Sequence, residues 1–357
     1  MTPSTTSLPP GRAWLDIHLA NLVANARTVQ RAAGGTPLLP MVKADAYGLG
    51  AVPVAEALES LAPWGYGVAT VPEGAALRAA GIDRPIVVFT PALAGSLDAY
   101  RAHGLHAVLD DPATAAAWEA PFHLELDTGM GRCGVRWDDA DAIARVDLPA
   151  LEGVFTHFHS ADTDPGSVLV QWERFARAVA PLRNRKRLIH AASSSGAWRL
   201  QERLDLVRPG IFLYGGRLAA DLPDPQPVAT LRAPVVSVRR LQPGDGVSYG
   251  HDWRADREST IVTLGVGYAD GVLRSVQDRA EVLIGGRRYP VVGRVTMDFI
   301  MVDVGDEPVR AGTLATLIGA DGAEEITVDE FAAWAGTISY EVLTGFVGRL
   351  ERRYPAP

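Results

Sequence analysis

Short apolar runs alternate with helix-forming segments along the first two-thirds of the chain. The helix-forming segments, such as residues 51–62 and 71–81, are rich in Ala, Leu, Arg and Glu and mostly end at Gly or Pro. Eight strand–helix units predict a parallel sheet and favour a closed TIM-type (β/α)8 barrel, although an open doubly wound sheet has the same pattern. The eight apolar runs are "LLPMVK", "WGYGVAT", "PIVVFT", "HAVLD", "HLELDT", "LEGVFTHF", "RLIHAAS" and "LVRPGIFLYG".

The pattern changes at the proline-rich segment "ADLPDPQPVA", residues 220–229. Beyond it, runs such as "APVVSVRRL" and "STIVTLGVGYA" predict strands, and "LIGGRRYPV" predicts a hairpin that turns at Gly285 and Gly286. We therefore expect an α/β protein with a flexible tail over 1–10, a barrel domain over 11–228 and a mostly-β domain over 229–357.

The charge of the chain argues against some classes of partner, and its cysteine content excludes a disulfide-bonded fold. The chain has 357 residues, a formal net charge of -8 and one cysteine, Cys133. An acidic balance argues against nucleic-acid or anionic-membrane partners, so we interpret the basic cluster "RNRKR", residues 183–187, as a solvated loop. One cysteine excludes an internal disulfide framework, and the lack of an apolar leader or long apolar run predicts a cytoplasmic protein.

Polar residues at the ends of the predicted strands are the candidates for chemistry, because barrel active sites form there. Lys43 ends the first run, although lysine is rarely buried without a partner. An amine joined to an aldehyde cofactor as a Schiff base avoids much of the cost of staying neutral in such a place. The other strand-end candidates are Asp127, Arg132, His157, His159, His190, Ser193, Ser194, Ser195 and Arg208.

Pyridoxal phosphate (PLP) is an aldehyde cofactor of this kind, and it also needs a phosphate cradle. The candidates for the cradle are Tyr47, Ser194 and the backbone amides of Gly210 and Ile211. Tyr47 follows Lys43 by four residues, so a helix that begins at Lys43 would place both side chains on one face.

Two other interpretations use motifs of the same region. "GMGRCG", residues 129–134, matches the dinucleotide pattern G-x-G-x-x-G, but no acidic residue ends a second strand about 20 positions later. His157 and His159 alternate on a strand and, with His190 and Asp162, could bind the catalytic metal of a barrel hydrolase. The metal-dependent hydrolase is the alternative from another functional class.

Nine motifs together resemble the alanine racemase family in both content and order, from about Trp14 to Leu350. The resemblance implies a PLP-dependent isomerase with a barrel and a C-terminal β domain, which interconverts L-alanine and D-alanine. Lys43 and Tyr249 would be the two bases, on opposite faces of the cofactor. The motifs are "MVKADAYGLG", "LDTGMGRCGV", "GVFTHF", "HAASS", "VRPGIFLYGG", "VSYGHDW", "GVGYADG", "GRVTMDFIMVD" and "TISYEVLT".

The same resemblance implies roles for further residues. Arg208 would face the pyridine nitrogen with His190 behind it, and a network through His157 would lead to Tyr249. Arg132 and the backbone amide of Met297 would bind the substrate carboxylate. Residues of the phosphate site, of the substrate entryway and of the supporting contacts are also implied; they are Tyr47, Ser194, Gly210, Ile211 and Tyr340, then Asp162, Tyr268, Arg274 and Arg294, then Glu125, His190 and Asp298.

The family also implies an amino-acid substrate, a head-to-tail homodimer with composite sites, no bound metal, and D-alanine supply for peptidoglycan. One departure concerns Glu125, where many members carry a carbamylated lysine that orients the residue matching Arg132. We expect the Glu125 carboxylate to replace that carbamate, because both present an anion to a guanidinium. Milder departures leave a serine or broad-specificity racemase as alternatives to strict alanine specificity.

Overall fold

The computed structural model describes residues 12–139, 148–181, 187–346 and 348–356. The expected tail over 1–10 and most of the "RNRKR" cluster lie outside these residues. The chain divides into a barrel unit, Leu22–Gln226, and a β unit formed by Met1–Asn21 and Pro227–Pro357. Among the described helices, none combines the length and the apolar character that a membrane span needs.

Strands occur in both units. In chain order they are β1 (Trp14–Ile17), β2 (Tyr66–Val68), β3 (Ile86–Pro91), β4 (His106–Leu109), β5 (Phe122–Asp127), β6 (Val135–Arg136), β7 (Leu151–Phe155), β8 (Leu188–His190), β9 (Ala229–Leu241), β10 (Gly246–Val247), β11 (Trp253–Arg254), β12 (Ser259–Leu264), β13 (Glu281–Ile284), β14 (Arg287–Pro290), β15 (Ile300–Gly305), β16 (Leu314–Asp321), β17 (Glu324–Ile326) and β18 (Glu351–Arg353).

Helices lie mostly in the barrel unit, between its strands. They are α1 (Leu19–Ala32), α2 (Lys43–Tyr47), α3 (Ala51–Leu58), α4 (Val71–Ala79), α5 (Leu97–His103), α6 (Pro112–Ala117), α7 (Pro165–Val179), α8 (Gly196–Arg199), α9 (Val328–Ala335) and α10 (Ser339–Thr344). Several begin at a side chain that satisfies a free amide: Asp111, for example, accepts from the backbone of Thr114 at the start of α6.

The barrel is closed by eight parallel segments, as predicted. Strands β2, β3, β4, β5, β7 and β8 pair in this order, and two irregular segments complete the ring. Leu38 bridges Val207, Met41 bridges Gly67, and Ser193 bridges Arg208. These two segments contain Pro40 and Pro209, which offer no N–H to a ladder. They still exchange backbone hydrogen bonds with their neighbours, such as Leu39 N to Val207 O and Val42 N to Gly67 O, without forming regular strands.

Apolar side chains from many of these segments fill the interior. Leu39, Val87, Val108, Phe155 and Leu206 form one buried cluster, with partly buried Trp64, Phe89 and Leu188 packed against it. Each of the five buried side chains comes from a different segment of the ring. Burial of this apolar surface fixes the strand ends, and therefore the polar residues carried on them.

The β unit is built around the long strand β9, which pairs antiparallel with β1, β12 and β16. Strands β13 and β14 form the expected hairpin, in which Ile284 pairs with Arg287 across a two-residue turn. Gly285 and Gly286 have φ values of 61° and 75°, which residues other than glycine rarely adopt. The expectation of a mostly-β C-terminal domain is therefore met.

The first strand differs from expectation. We assigned residues from 11 onward to the barrel, whereas β1 pairs antiparallel with β9 and parallel with β18, in the β unit. The physical reason is that "WLDI" has the buried pattern of a strand but no feature that selects a partner. Its partners follow some 200 residues later or more, and short-range patterning does not specify such pairings.

Candidate active site

Lys43 begins a turn of unusual backbone conformation at the end of the first barrel segment. Ala44, Asp45, Ala46 and Tyr47 all have φ between 53° and 55°, in the left-handed region. A right-handed helix therefore does not begin at Lys43, and the condition under which Lys43 and Tyr47 would share a helix face is not met. Each such residue costs about 1–2 kcal/mol, so the surrounding contacts must hold this turn.

Glu73 supplies part of that support. Its Oε1 accepts from the backbone amide of Ala44 at 2.8 Å and its Oε2 from that of Ala69 at 2.7 Å. The sequence reasoning missed this residue, although a signal exists: Thr70 and Glu73 form a capping box at the start of α4. The half-buried amine of Lys43 has its pKa lowered, first by burial and then by Arg132, while Glu73 opposes the change.

Arg208 lies buried in the barrel and is surrounded by acceptors. Its Nη1 donates to His190 Nδ1 at 2.8 Å, and its Nη2 donates to Thr156 O at 2.8 Å and Ala191 O at 3.1 Å. His157 Nδ1 lies 3.4 Å from the same Nη2. The guanidinium also packs over the ring of Phe155, 5.1 Å from its centroid. Arg208, His190 and His157 thus form one polar group, with backbone oxygens as further acceptors.

The histidines around Arg208 are neutral. Burial lowers the pKa of His157 to about 3, with Arg208 and Arg132 as the next causes. Burial and Arg208 hold the pKa of His190 well below its usual value. Burial lowers the pKa of Arg208 to about 10, so this guanidinium stays charged at neutral pH and is the cation of the group.

Gly210 and Tyr47 meet beside this group. The Gly210 amide donates to Ser194 Oγ at 2.8 Å, and a Cβ added to Gly210 would lie 2.5 Å from Tyr47 Oη. Tyr47 stacks on Tyr214, with ring centroids 4.5 Å apart, and Ile211 begins a buried 3₁₀ helix, Ile211–Tyr214. The Gly210 amide, the Ser194 hydroxyl and the Tyr47 phenol therefore lie together, and none of these three groups is a carboxylate.

Arg132 and Glu125 influence each other without touching. Burial raises the pKa of Glu125 to about 6, and Arg132 acts in the opposite direction. Among the described residues, no hydrogen bond or ion pair joins the two side chains. Asp127 shapes the loop that carries Arg132, because its Oδ1 accepts from the amides of Gly129 and Gly131.

The four residues considered for a metal do not converge. His190 Nδ1 accepts a hydrogen bond from Arg208. His159 is exposed, and its Nδ1 lies 2.6 Å from Ser160 Oγ. Asp162 is exposed in the loop before α7. Within the described part of the chain, the group of ligand atoms close enough for one ion involves other residues, namely His106, His123 and Glu152.

The remaining candidates lie in the β unit. Tyr249 opens a short 3₁₀ helix, Tyr249–His251, and is 71% exposed. The preceding Ser248 has φ 63°, and its hydroxyl donates to Arg294 O at 2.7 Å. The turn that carries Tyr249 is therefore held next to Arg294.

A second pair of loops in the β unit brings Tyr268 and Met297 together. Tyr268 N donates to Thr296 O at 3.0 Å, and Ala269 N donates to Met297 O at 3.1 Å. Asp298 forms an ion pair with Arg349. Tyr268 and Met297 are both exposed. The remaining two candidates are also exposed: Arg274 lies in the 3₁₀ helix Arg274–Val276, and Tyr340 lies in α10.

Comparison with known proteins shows one family along both parts of the chain. Residues 17–218 match the family model "Alanine racemase, N-terminal domain", and residues 228–354 match "Alanine racemase, C-terminal domain". The alanine racemase of Symbiobacterium thermophilum is 41% identical, over 96% of this chain and 96% of that protein.

Solved structures show the same likeness. Alanine racemase from Bacillus anthracis with bound L-Ala-P has a TM-score of 0.89 at 30% identity, over 96% of this chain and 95% of that one. Alanine racemase from Bartonella henselae with covalently bound pyridoxal phosphate has a TM-score of 0.88 at 27% identity, over 97% of this chain and 100% of that one. Two matching domain models and a 41% identical relative along nearly the whole chain establish that this protein belongs to the alanine racemase family.

Proposed function

We propose that this protein is a PLP-dependent alanine racemase, an isomerase that interconverts L-alanine and D-alanine. Identity of 41% to an alanine racemase along nearly the full length supports the reaction. One structural observation carries the chemistry: a buried, charged Arg208 with neutral His190 behind it lies near the amine of Lys43.

The residues present fit the cofactor. Gly210, Ser194 and Tyr47 bring an amide, a hydroxyl and a phenol together, which are groups that can donate to a phosphate, with Ile211 beside them and Tyr340 as a further expected contact. The Lys43 amine, with its lowered pKa, is suited to hold an aldehyde covalently. When bound, PLP withdraws electron density from the α-carbon of the amino acid, which makes the α-proton acidic.

Arg208 would select racemisation among the reactions that PLP supports. A guanidinium donates hydrogen bonds but does not release its proton at neutral pH, so a pyridine nitrogen facing it stays unprotonated. The ring then withdraws less electron density than it would beside an aspartate, which would keep the nitrogen protonated, and this disfavours transamination. His190 holds the guanidinium in place from behind.

Racemisation needs one proton-transfer group on each face of the α-carbon. We assign Lys43 to the face that serves D-alanine and Tyr249 to the face that serves L-alanine. Tyr249 would come from a second copy of the chain in a head-to-tail homodimer. Its 71% exposure supports such use, because an exposed phenol is available to another subunit.

Substrate recognition would rest on a cation and an amide. Arg132 and the backbone amide of Met297 would bind the carboxylate of the amino acid, with Asp298 steadying the Met297 turn through its ion pair with Arg349. The entryway would be formed by Asp162, Tyr268, Arg274 and Arg294. D-alanine made in the cytoplasm would supply peptidoglycan synthesis.

The test is to purify the protein with PLP and incubate it with L-alanine or L-serine, while measuring each enantiomer by chiral chromatography. We expect equal amounts of both alanine enantiomers at equilibrium and slower conversion of serine. Faster racemisation of serine would contradict alanine specificity. Stoichiometric zinc with no racemisation of either amino acid would support the metal-dependent hydrolase instead.

A further inference from the structure

A chain of imidazole rings continues from Arg208 through the interior of the barrel. His190 Nε2 lies 2.9 Å from His123 Nδ1, and both rings are completely buried. His190 stacks on Phe155, with ring centroids 5.0 Å apart. Neither His123 nor the residues beyond it have a role in the proposed reaction.

The chain ends at a carboxylate. One nitrogen from His106, one from His123 and one carboxylate oxygen of Glu152 lie within 4.8 Å of one another. His106 Nδ1 is 2.8 Å from Glu152 Oε2, an ion-pair distance, although its N–H does not have hydrogen-bond geometry. These residues belong to the first half of β4, β5 and β7, whereas His190 is the last residue of β8.

Donor chemistry gives this chain a direction. A guanidinium can only donate, so His190 Nδ1 must accept from Arg208. A neutral imidazole has one donor and one acceptor, so His190 carries its proton on Nε2 and donates to His123 Nδ1. His123 must then carry its own proton on Nε2, a buried atom with no hydrogen-bond partner among the described residues.

These tautomers leave no nitrogen of His123 free to bind a metal at this cluster. A metal would need an unprotonated nitrogen from His123, but its Nδ1 accepts from His190 and its Nε2 bears a proton. A buried N–H without a partner is stabilised by nearby negative charge, and one oxygen of the Glu152 carboxylate lies within 4.8 Å of a His123 nitrogen. His106 lowers the pKa of Glu152, so the carboxylate is ionised at neutral pH.

We propose that Glu152 and His123 are positioning residues for the active site. The charge of the carboxylate favours the Nε2–H tautomer of His123, which is the tautomer that accepts from His190. The aligned pair of rings holds the Arg208 guanidinium toward the cofactor ring. We call this series of contacts, from Glu152 through His123 and His190 to Arg208, the relay. All of its residues belong to the barrel unit, and its effect on the reaction rests on the proposed function. Gly153 makes room for the His123 ring, because a Cβ at position 153 would lie 2.3 Å from His123 Nδ1.

The relay is tested first on the protein without cofactor, by NMR of a sample labelled with ¹⁵N-histidine. We expect His123 and His190 both to be protonated on Nε2. Glu152→Leu, which removes charge and acceptor, should shift the resonances of both rings, whereas the exposed control Glu119→Leu should shift neither. A proton on Nδ1 of either ring, an unshifted His190 in Glu152→Leu, or one zinc ion bound through His123 would overturn the proposal.

The second measurement uses the protein with PLP and alanine. We expect Glu152→Leu to raise the ratio of pyruvate formation to racemisation about tenfold, with the KM for alanine within about twofold of the parent value. Glu152→Gln keeps a polar oxygen at this position and should restore part of the parent ratio, whereas Glu152→Ala removes that oxygen and serves if Glu152→Leu does not fold. An unchanged ratio in the variant without a polar oxygen would overturn the link to Arg208. Failure of the parent protein to racemise alanine would instead refute the proposed function and leave the NMR result standing.

Discussion

Gly210 and Tyr47 approach so closely that a Cβ atom on Gly210 would lie 2.5 Å from Tyr47 Oη. Gly210 has φ -127° and ψ -107°, and the approach of Tyr47 leaves no room for a side chain there. The Gly210 amide and Tyr47 are both assigned to the phosphate of the cofactor. The size of one side chain therefore tests the phosphate site.

We expect Gly210→Ala to weaken PLP binding about tenfold, because Tyr47 must move and overpacking of this kind costs about 1–3 kcal/mol. A titration of the protein without cofactor, followed by absorbance, measures the dissociation constant. Gly95→Ala is the matched control, since a Cβ at Gly95 meets no atom within 4 Å. Equal affinities of the two variants for PLP would contradict the assignment of Gly210 to the phosphate site.

Lys43 is one of only two lysines in the chain, the other being Lys186. We expect borohydride reduction of the protein with PLP to leave the cofactor attached to the peptide that contains Lys43, as detected by mass spectrometry. Lys43→Ala should abolish the label and the racemisation, and Lys186→Ala should retain both. A label on Lys186, or a fully active Lys43→Ala protein, would contradict the assignment of the covalent link.

The closed barrel was predictable because it repeats a local signal eight times, and each repeat needs only periodicity and a turn. The left-handed turn after Lys43 was not predictable, since Ala44 and Ala46 carry no preference for positive φ and Glu73 imposes the conformation from another element. Resemblance to a family placed His190 beside Arg208, but His123 gave no signal. Its contact with His190 joins residues 67 positions apart.

Removal of the Tyr249 hydroxyl should affect one enantiomer more than the other, because each base serves one face. In deuterated water, we expect Tyr249→Phe to lose α-proton exchange of L-alanine by about 10³-fold while exchange of D-alanine through Lys43 persists. Proton NMR of the alanine α-position measures both rates. Tyr289→Phe is the control, and equal loss for both enantiomers would refute the assignment of faces.

Glu125 offers a test through pH. Burial raises the pKa of this carboxyl to about 6 from its ordinary value of 4.5, against the opposing effect of Arg132. A carboxyl whose pKa is raised in the folded state destabilises the fold when ionised. The cost is absent below about pH 4.5, grows between about 4.5 and 6, and is complete above about pH 6.

We therefore expect Glu125→Gln to increase the free energy of unfolding by about 2 kcal/mol at pH 8 and by almost nothing at pH 4, as measured by urea denaturation. The same variant should racemise alanine more slowly with a higher KM, since Arg132 would lose the nearby anion that we expect to take the place of the family's carbamate. The exposed control Glu119→Gln should alter neither quantity. Equal stabilisation at both pH values would mean that packing, and not charge, limits the stability at Glu125. An unchanged KM would mean that Arg132 is oriented without this carboxylate.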